Sequence, residues 1–138
     1  MNRKIGLYCE VRAAQAAAFF LHKAGDRVPL PKLMKLMYLA ERTSLQRYGE
    51  PLTGDCLFSM EHGPALAITP EHMNGMIDSS RNGWDAWISR KENRELALAD
   101  PGLIRTPEDN LLALSDADLE ILNEIWTAFS HLNAPALI

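Results

Sequence analysis

The sequence predicts a mainly α-helical fold, α+β at the margin. It reads as one helical domain over residues 1–138, gathered around a single apolar central helix and carrying a small β-hairpin. Three observations predict it. Apolar residues recur at helical spacing over 10–24 and again over 115–129. The run Leu33-Met34-Lys35-Leu36-Met37-Tyr38-Leu39-Ala40 is apolar on nearly every side, as in a helix buried at the centre of a domain. Trp84, Ala86 and Ile88 alternate, as do Leu96 and Leu98, on either side of the polar Lys91-Glu92-Asn93-Arg94.

The first helix covers 10–24, with Val11, Ala14, Ala18 and Leu21 on one face and Gly25 as its stop. Val28-Pro29-Leu30-Pro31 then re-aims the chain, and Pro31 suits the first turn of a second helix. That helix runs to about Tyr48, where Gly49 and then Pro51 end it. Residues 50–64 are punctuated by Pro51, Gly54, Gly63 and Pro64 and read as a short extended piece or an irregular connection. Thr69-Pro70-Glu71 has the form of an N-cap followed by proline, opening a short helix that holds Met73, Met76 and Ile77. Residues 84–99 read as the hairpin, with a helix as the alternative, and 100–110 as a loop. Ser115 opens the last clear helix, its hydroxyl and Asp118 placed as a capping box. Leu119, Leu122, Trp126 and Phe129 make one face of that helix, with Ile121 and Ile125 beside it. Asn133-Ala134-Pro135 has the form of a further helix start.

Composition narrows the function. With 47% hydrophobic and 23% charged residues, the 138-residue chain suits a globular domain, not a disordered or fibrous one. The uncharged stretch 13–21 falls well short of the roughly 20 residues of a membrane span. Glu10 and Arg12 interrupt what would otherwise resemble a signal peptide. The two cysteines, Cys9 and Cys56, read as free, buried thiols. Net charge is −4, with nine Lys/Arg against four Asp/Glu in residues 1–50 and five against fourteen in 51–138. The two halves are expected to pair within one domain, since no block of five like charges occurs.

No catalytic or metal-binding pattern emerges. The candidate ligands His22, His62, His72, His131, Cys9, Cys56, Asp55, Glu61 and Glu71 contain no Cys-x-x-Cys or His-x-x-x-His unit. Cys56 with His62 is the best nucleophile pair available, but no oxyanion-hole sequence surrounds it. Glycine-rich phosphate loops are absent. Lys32, Lys35, Arg42 and Arg47 on the second helix could meet DNA phosphates in a winged-helix arrangement. An apolar helix in an acidic chain argues against it. Glu61-His62-Gly63-Pro64 reads first as a structural turn and second as a corner that holds His62 at a binding surface.

Three strings carry a resemblance. The run from Leu33 to Glu41, containing Lys35, Leu36, Tyr38, Leu39, Ala40 and Glu41, is similar to the K-L-x-Y-L-A-[DE] signature of the Panacea domain, the SocA-like antitoxin family. Tyr48-Gly49-Glu50-Pro51-Leu52-Thr53-Gly54-Asp55 resembles its G-x-P-[IL]-x-G-D. The run from Phe58 to Leu66, with His62, Gly63 and Pro64, resembles its Gly-Pro turn. Trp84, Leu96, Leu98 and the stretch 114–119 follow in the expected order, so the resemblance spans about 10–132. It implies a helical domain with a small β element that neutralises a cognate protein toxin by direct contact, acting in the cytoplasm, with no catalysis and no cofactor. The motif residues are then mainly structural, with partner contact as their second role. A second copy of the chain is a further candidate partner. A proteolytic adaptor and a winged-helix autoregulator are the alternative functions. Family members continue into a closing helix where this sequence stops, so the resemblance also implies a missing C-terminal helix.

Overall fold

The computed structural model describes residues 8–60 and 63–132. Six helices and five short strands follow one another as α1 (Glu10–Ala24), β1 (Val28–Pro29), α2 (Leu30–Tyr48), β2 (Leu57–Met60), β3 (Gly63–Leu66), α3 (Thr69–Met73), α4 (Trp84–Trp87), β4 (Ile88–Lys91), β5 (Glu95–Leu98), α5 (Pro107–Asn110) and α6 (Asp116–Phe129). The helix-start motif at 133–135 and the histidine corner at 61–62 lie outside the described residues.

The core is helical, as the 3.6-residue periodicity predicts, and α1 holds the larger share of its centre. Every residue from Ala13 to Leu21 is buried. Five of these nine are alanines, so neighbouring elements approach α1 closely, while Phe19, Phe20 and Leu21 supply bulk. The apolar run in α2 buries Leu33, Leu36, Met37 and Ala40 and leaves Met34, Tyr38 and Leu39 half-buried. Centrality is therefore shared between α1 and α2. α6 packs against both and contributes Leu119, Ile121, Leu122 and Ile125. Its cap is as expected: the Asp118 N–H donates to Ser115 Oγ (3.1 Å) and the Ser115 N–H returns to Asp118 Oδ2 (2.8 Å).

The hairpin at 84–99 forms over a shorter span than the alternation implied. β4 and β5 pair antiparallel, with Ile88 opposite Leu98 and Lys91 opposite Glu95. Trp84 and Ala86 sit in the one-turn α4, because the Trp84 N–H is claimed by Glu10, 74 residues upstream. β1 joins the other edge of β5, with Val28 opposite Leu96, giving the order β1-β5-β4. The connection 50–64 resolves into β2, which pairs with β3 from Leu57 opposite Leu66 to Met60 opposite Gly63. Gly63 and Pro64 thus lie in a strand rather than in a turn.

Three further expectations are corrected. α3 begins at Thr69, and Ile68 stands at the cap position, because the Thr69 hydroxyl donates to Asp55 Oδ2 at 2.7 Å. Met76 and Ile77 lie past the end of α3 and are exposed. The segment 100–110 holds a short turn at Pro101–Leu103 and the one-turn α5, capped by Thr106.

The uneven charge is balanced within the fold. Each ion pair among the described residues joins a cation of the first 50 residues to a carboxylate of the remainder. Arg12 meets Asp118 (2.7 Å), Arg47 meets Glu124 (2.8 Å), and Arg27 meets Glu92 (2.7 Å) and Glu95 (3.9 Å).

Candidate functional site

Glu41 follows Ala40 on the buried face of α2, where a charged side chain needs partners. It is fully buried, and its carboxylate gathers the loop that follows the helix. Leu52 N–H donates at 2.9 Å, Thr53 N–H at 2.9 Å, the Thr53 hydroxyl at 2.6 Å and Gly54 N–H at 3.3 Å. Burial pushes the Glu41 carboxyl above its usual range, and hydrogen bonds from Thr53, Gly54 and Leu52 pull against that rise. The two motif glycines make this geometry reachable. Gly49 at φ 68° ends α2 with its N–H on Leu45 O, and Gly54 turns at φ 87°.

Asp55 repeats the device one step later. Its two oxygens accept from Cys56 N–H (2.7 Å), Ala67 N–H (3.1 Å), Ile68 N–H (2.8 Å), Thr69 N–H (2.6 Å) and the Thr69 hydroxyl (2.7 Å). Residues 56 and 67 flank the β2–β3 hairpin, so one carboxylate clamps the hairpin at its base and fixes the entry to α3. Pairing in the hairpin itself is only four residues long on each side, which alone is marginal.

The motif positions accordingly fall into three groups. Leu36, Ala40, Glu41, Gly54 and Asp55 are buried. Lys35, Tyr38, Leu39 and Pro51 are half-buried, and Gly49 is exposed. Gly63 and Pro64 lie in β3, and His62 is outside the described residues. Glu41 and Asp55 are brought to one loop, whereas Lys35, Tyr38 and Leu39 lie along α2.

Beside this loop a cleft of about 390 Å³ opens between the start of α1, residues 50–54 and the cap of α6. Its wall is held by Arg12. The guanidinium donates to Leu52 O, Ala113 O and Asp118 Oδ2, each at 2.7 Å. Cys9 lines this cleft as a half-buried free thiol. Cys56 is also free but exposed, against the expectation of two buried thiols, because its N–H is turned inward to Asp55. Among the described residues, no three His, Cys, Asp or Glu side chains gather as metal ligands.

Two features escaped the sequence reading. The first is Glu10, whose carboxylate accepts from Trp84 N–H (2.7 Å), Ser80 N–H (3.0 Å), the Ser80 hydroxyl (2.7 Å) and the Ser79 hydroxyl (3.1 Å). Burial alone would raise its pKa. The donors from Trp84, Ser80 and Ser79 outweigh that and hold it at about 2. The second is buried His72, stacked between Tyr8 (5.8 Å, 21°) and Trp84 (5.5 Å, 13°), with Nδ1 lacking a hydrogen-bond partner. No local pattern announces either: Glu10 and Tyr8 meet partners about 60 to 75 residues away, and the His72–Trp84 stack joins residues 12 apart across different elements.

A family model described as Antitoxin SocA-like, Panacea domain, matches residues 33–138. The three motif strings fall inside that match, while α1 lies before it. No curated protein and no solved structure matches the chain.

Proposed function

The chain belongs to the SocA-like Panacea antitoxin family, and from that premise we propose that it silences a cognate protein toxin by direct binding, without catalysis of its own. The family match carries this reading. The geometry supports it through the two motif carboxylates, Glu41 and Asp55. Each oxygen of both accepts hydrogen bonds from N–H or O–H groups of this chain. Such carboxylates build a framework and leave no free acceptor for general acid–base work. The free thiols Cys9 and Cys56 fit action in a reducing compartment such as the cytoplasm.

A DNA-reading role for α2 is weakened by the engagement of two of its four cations. Arg47 holds Glu124 through two N–H groups (2.8 and 2.9 Å), and Lys32 donates to Ser130 O beneath the Trp126 ring. A surface that holds a toxin silent needs about 1,000 Å² or more of total buried area, with a few anchors.

The test is co-expression with the product of the adjacent reading frame. Growth arrest by that product alone, relieved by this chain, is the expected result. Relief should persist in Cys56→Ser and His62→Ala variants that fold. A folded Cys56→Ser variant that binds the product but no longer relieves arrest would return catalysis to the chain. An unchanged half-life of the bound partner separates this function from delivery to a protease.

A further inference from the structure

We infer that the face made by the β4–β5 turn and the end of α3 docks an acidic, partly apolar segment of the protein partner. This inference rests on the antitoxin reading above. The half of the chain from residue 51 carries only five cations against fourteen acids, and three of the five are Arg90, Lys91 and Arg94. They surround a pocket of about 170 Å³ floored by Leu30, Met73 and Leu96. The one carboxylate in its lining, Glu95, faces Arg27, which also holds Glu92. No carboxylate among the described residues lies within ion-pair distance of Arg90, Lys91 or Arg94. The Arg90 guanidinium lies across Gly75, its acceptor among the described residues the Asn74 carbonyl at 3.3 Å.

Two observations mark this face as more than a solvated turn. Met76, directly after the Gly75 that the Arg90 guanidinium covers, is 73% exposed, a large apolar side chain in water. Asn93 and Arg94 both hold positive φ, 61° and 55°. Asparagine tolerates that conformation, but arginine adopts it against its preference. A carboxylate side chain has the charge for the pocket mouth and an apolar stem for its floor. A neighbouring apolar residue of the same segment would cover Met76. A nucleic acid fits less well, because three cations on a strongly acidic half make no stripe along which a polyanion can run.

The experiment titrates the protein encoded by the adjacent reading frame into the purified chain by calorimetry, at about 0.05 and 0.3 M salt. Wild-type affinity should fall with salt. Arg90→Glu with Lys91→Glu should weaken binding roughly 100-fold and flatten the salt dependence. Arg42→Glu with Arg105→Glu, the same charge change at exposed sites elsewhere, should stay within about threefold. If the Arg90/Lys91 reversal also stays within about threefold, the docking face is wrong and the antitoxin reading stands. If the wild type binds nothing, the antitoxin reading falls. The face is then judged by NMR with a synthetic peptide of alternating Glu and Leu. Shifts confined to Arg90, Lys91, Arg94 and Met76 support it. Shifts elsewhere, none at all, or larger shifts at these residues with a short DNA duplex overturn it.

Discussion

The loop at 52–55 and the turn at 92–94 each connect two elements, and they are held in opposite ways. In the first, a buried carboxylate from α2 meets three backbone N–H groups and a hydroxyl, and Gly54 supplies the one positive φ. In the second, Arg27 reaches over to Glu92, Arg90, Lys91 and Arg94 make no ion pair among the described residues, and the positive φ values fall on asparagine and arginine. One loop saturates its polar groups and relieves its backbone. The other leaves charge open and backbone strained. A satisfied, buried loop fixes a shape, and an unsatisfied, exposed one has interactions left to offer. The contrast sets Glu41 and Asp55 apart as carboxylates bound by their own chain, and we propose that contact with a partner lies elsewhere.

The comparison breaks most severely at Glu41. Glu41→Ala strands four donors in a buried site, each unsatisfied group costing about 1–3 kcal/mol, part of which water entry recovers. A loss of about 3–5 kcal/mol in denaturant unfolding is expected. Leu36→Ala removes only packing and should cost roughly 2–5 kcal/mol. A loss below about 1 kcal/mol for Glu41→Ala would show the loop to be held by something other than its carboxylate.

A third carboxylate-held loop gives a steric test. A Cβ on Gly83 would lie 2.1 Å from Glu10 Oε2 and 2.8 Å from Ser80 Oγ. The carboxylate cannot retreat without losing its bonds to Ser80 and Trp84. Gly83→Ala should therefore cost about 1–3 kcal/mol, while Gly83→Ala in a Glu10→Ala background should cost clearly less. Equal costs in both backgrounds would remove Glu10 from the account.

These carboxylates also explain what the sequence made legible. Helix ends are local events. Gly25, Gly49 and the Ser115–Asp118 box are readable because each cap closes within a few residues. The string from Glu41 to Asp55 stands out through its family resemblance, yet its letters do not say that both acids would be consumed by backbone. Trp84 reads as a strand residue by alternation and becomes helical because Glu10 takes its N–H. β1 is two residues long and exists only because β5 lies beside it. In each missed case the deciding partner is far along the chain, where periodicity carries no information.

Acid sharpens the comparison further. The Glu10 carboxyl stands at about 2 in the folded protein against 4.5 as its ordinary value. A depressed carboxyl contributes stability that is fully present above the unfolded value and is lost as pH falls toward the folded one. The wild type should thus lose its advantage over Glu10→Gln as pH drops from about 4.5 to about 2. Glu41, raised rather than lowered, acts in the opposite sense and is common to both proteins, so the difference between them reports Glu10. A gap independent of pH in chemical denaturation would contradict this.

The smallest effect concerns the strained turn and has the opposite sign. Arg94 sits at φ 55°, where its Cβ crowds the following carbonyl, and glycine has no such penalty. Replacing it by glycine relieves the folded state but gives the unfolded chain more freedom, which offsets part of the gain. Arg94 makes no ion pair among the described residues, so no attraction is lost with it. Arg94→Gly is therefore expected to stabilise the protein by up to about 0.5–1 kcal/mol, and to melt no lower than the wild type. The same change at Lys91, on ordinary strand geometry in β4, should destabilise by a similar amount. A gain in stability on Arg94→Gly would show that the arginine does not serve the fold where it stands. If Arg94→Gly proves destabilising, the turn is held by contacts of the arginine itself, and it belongs with the satisfied loops.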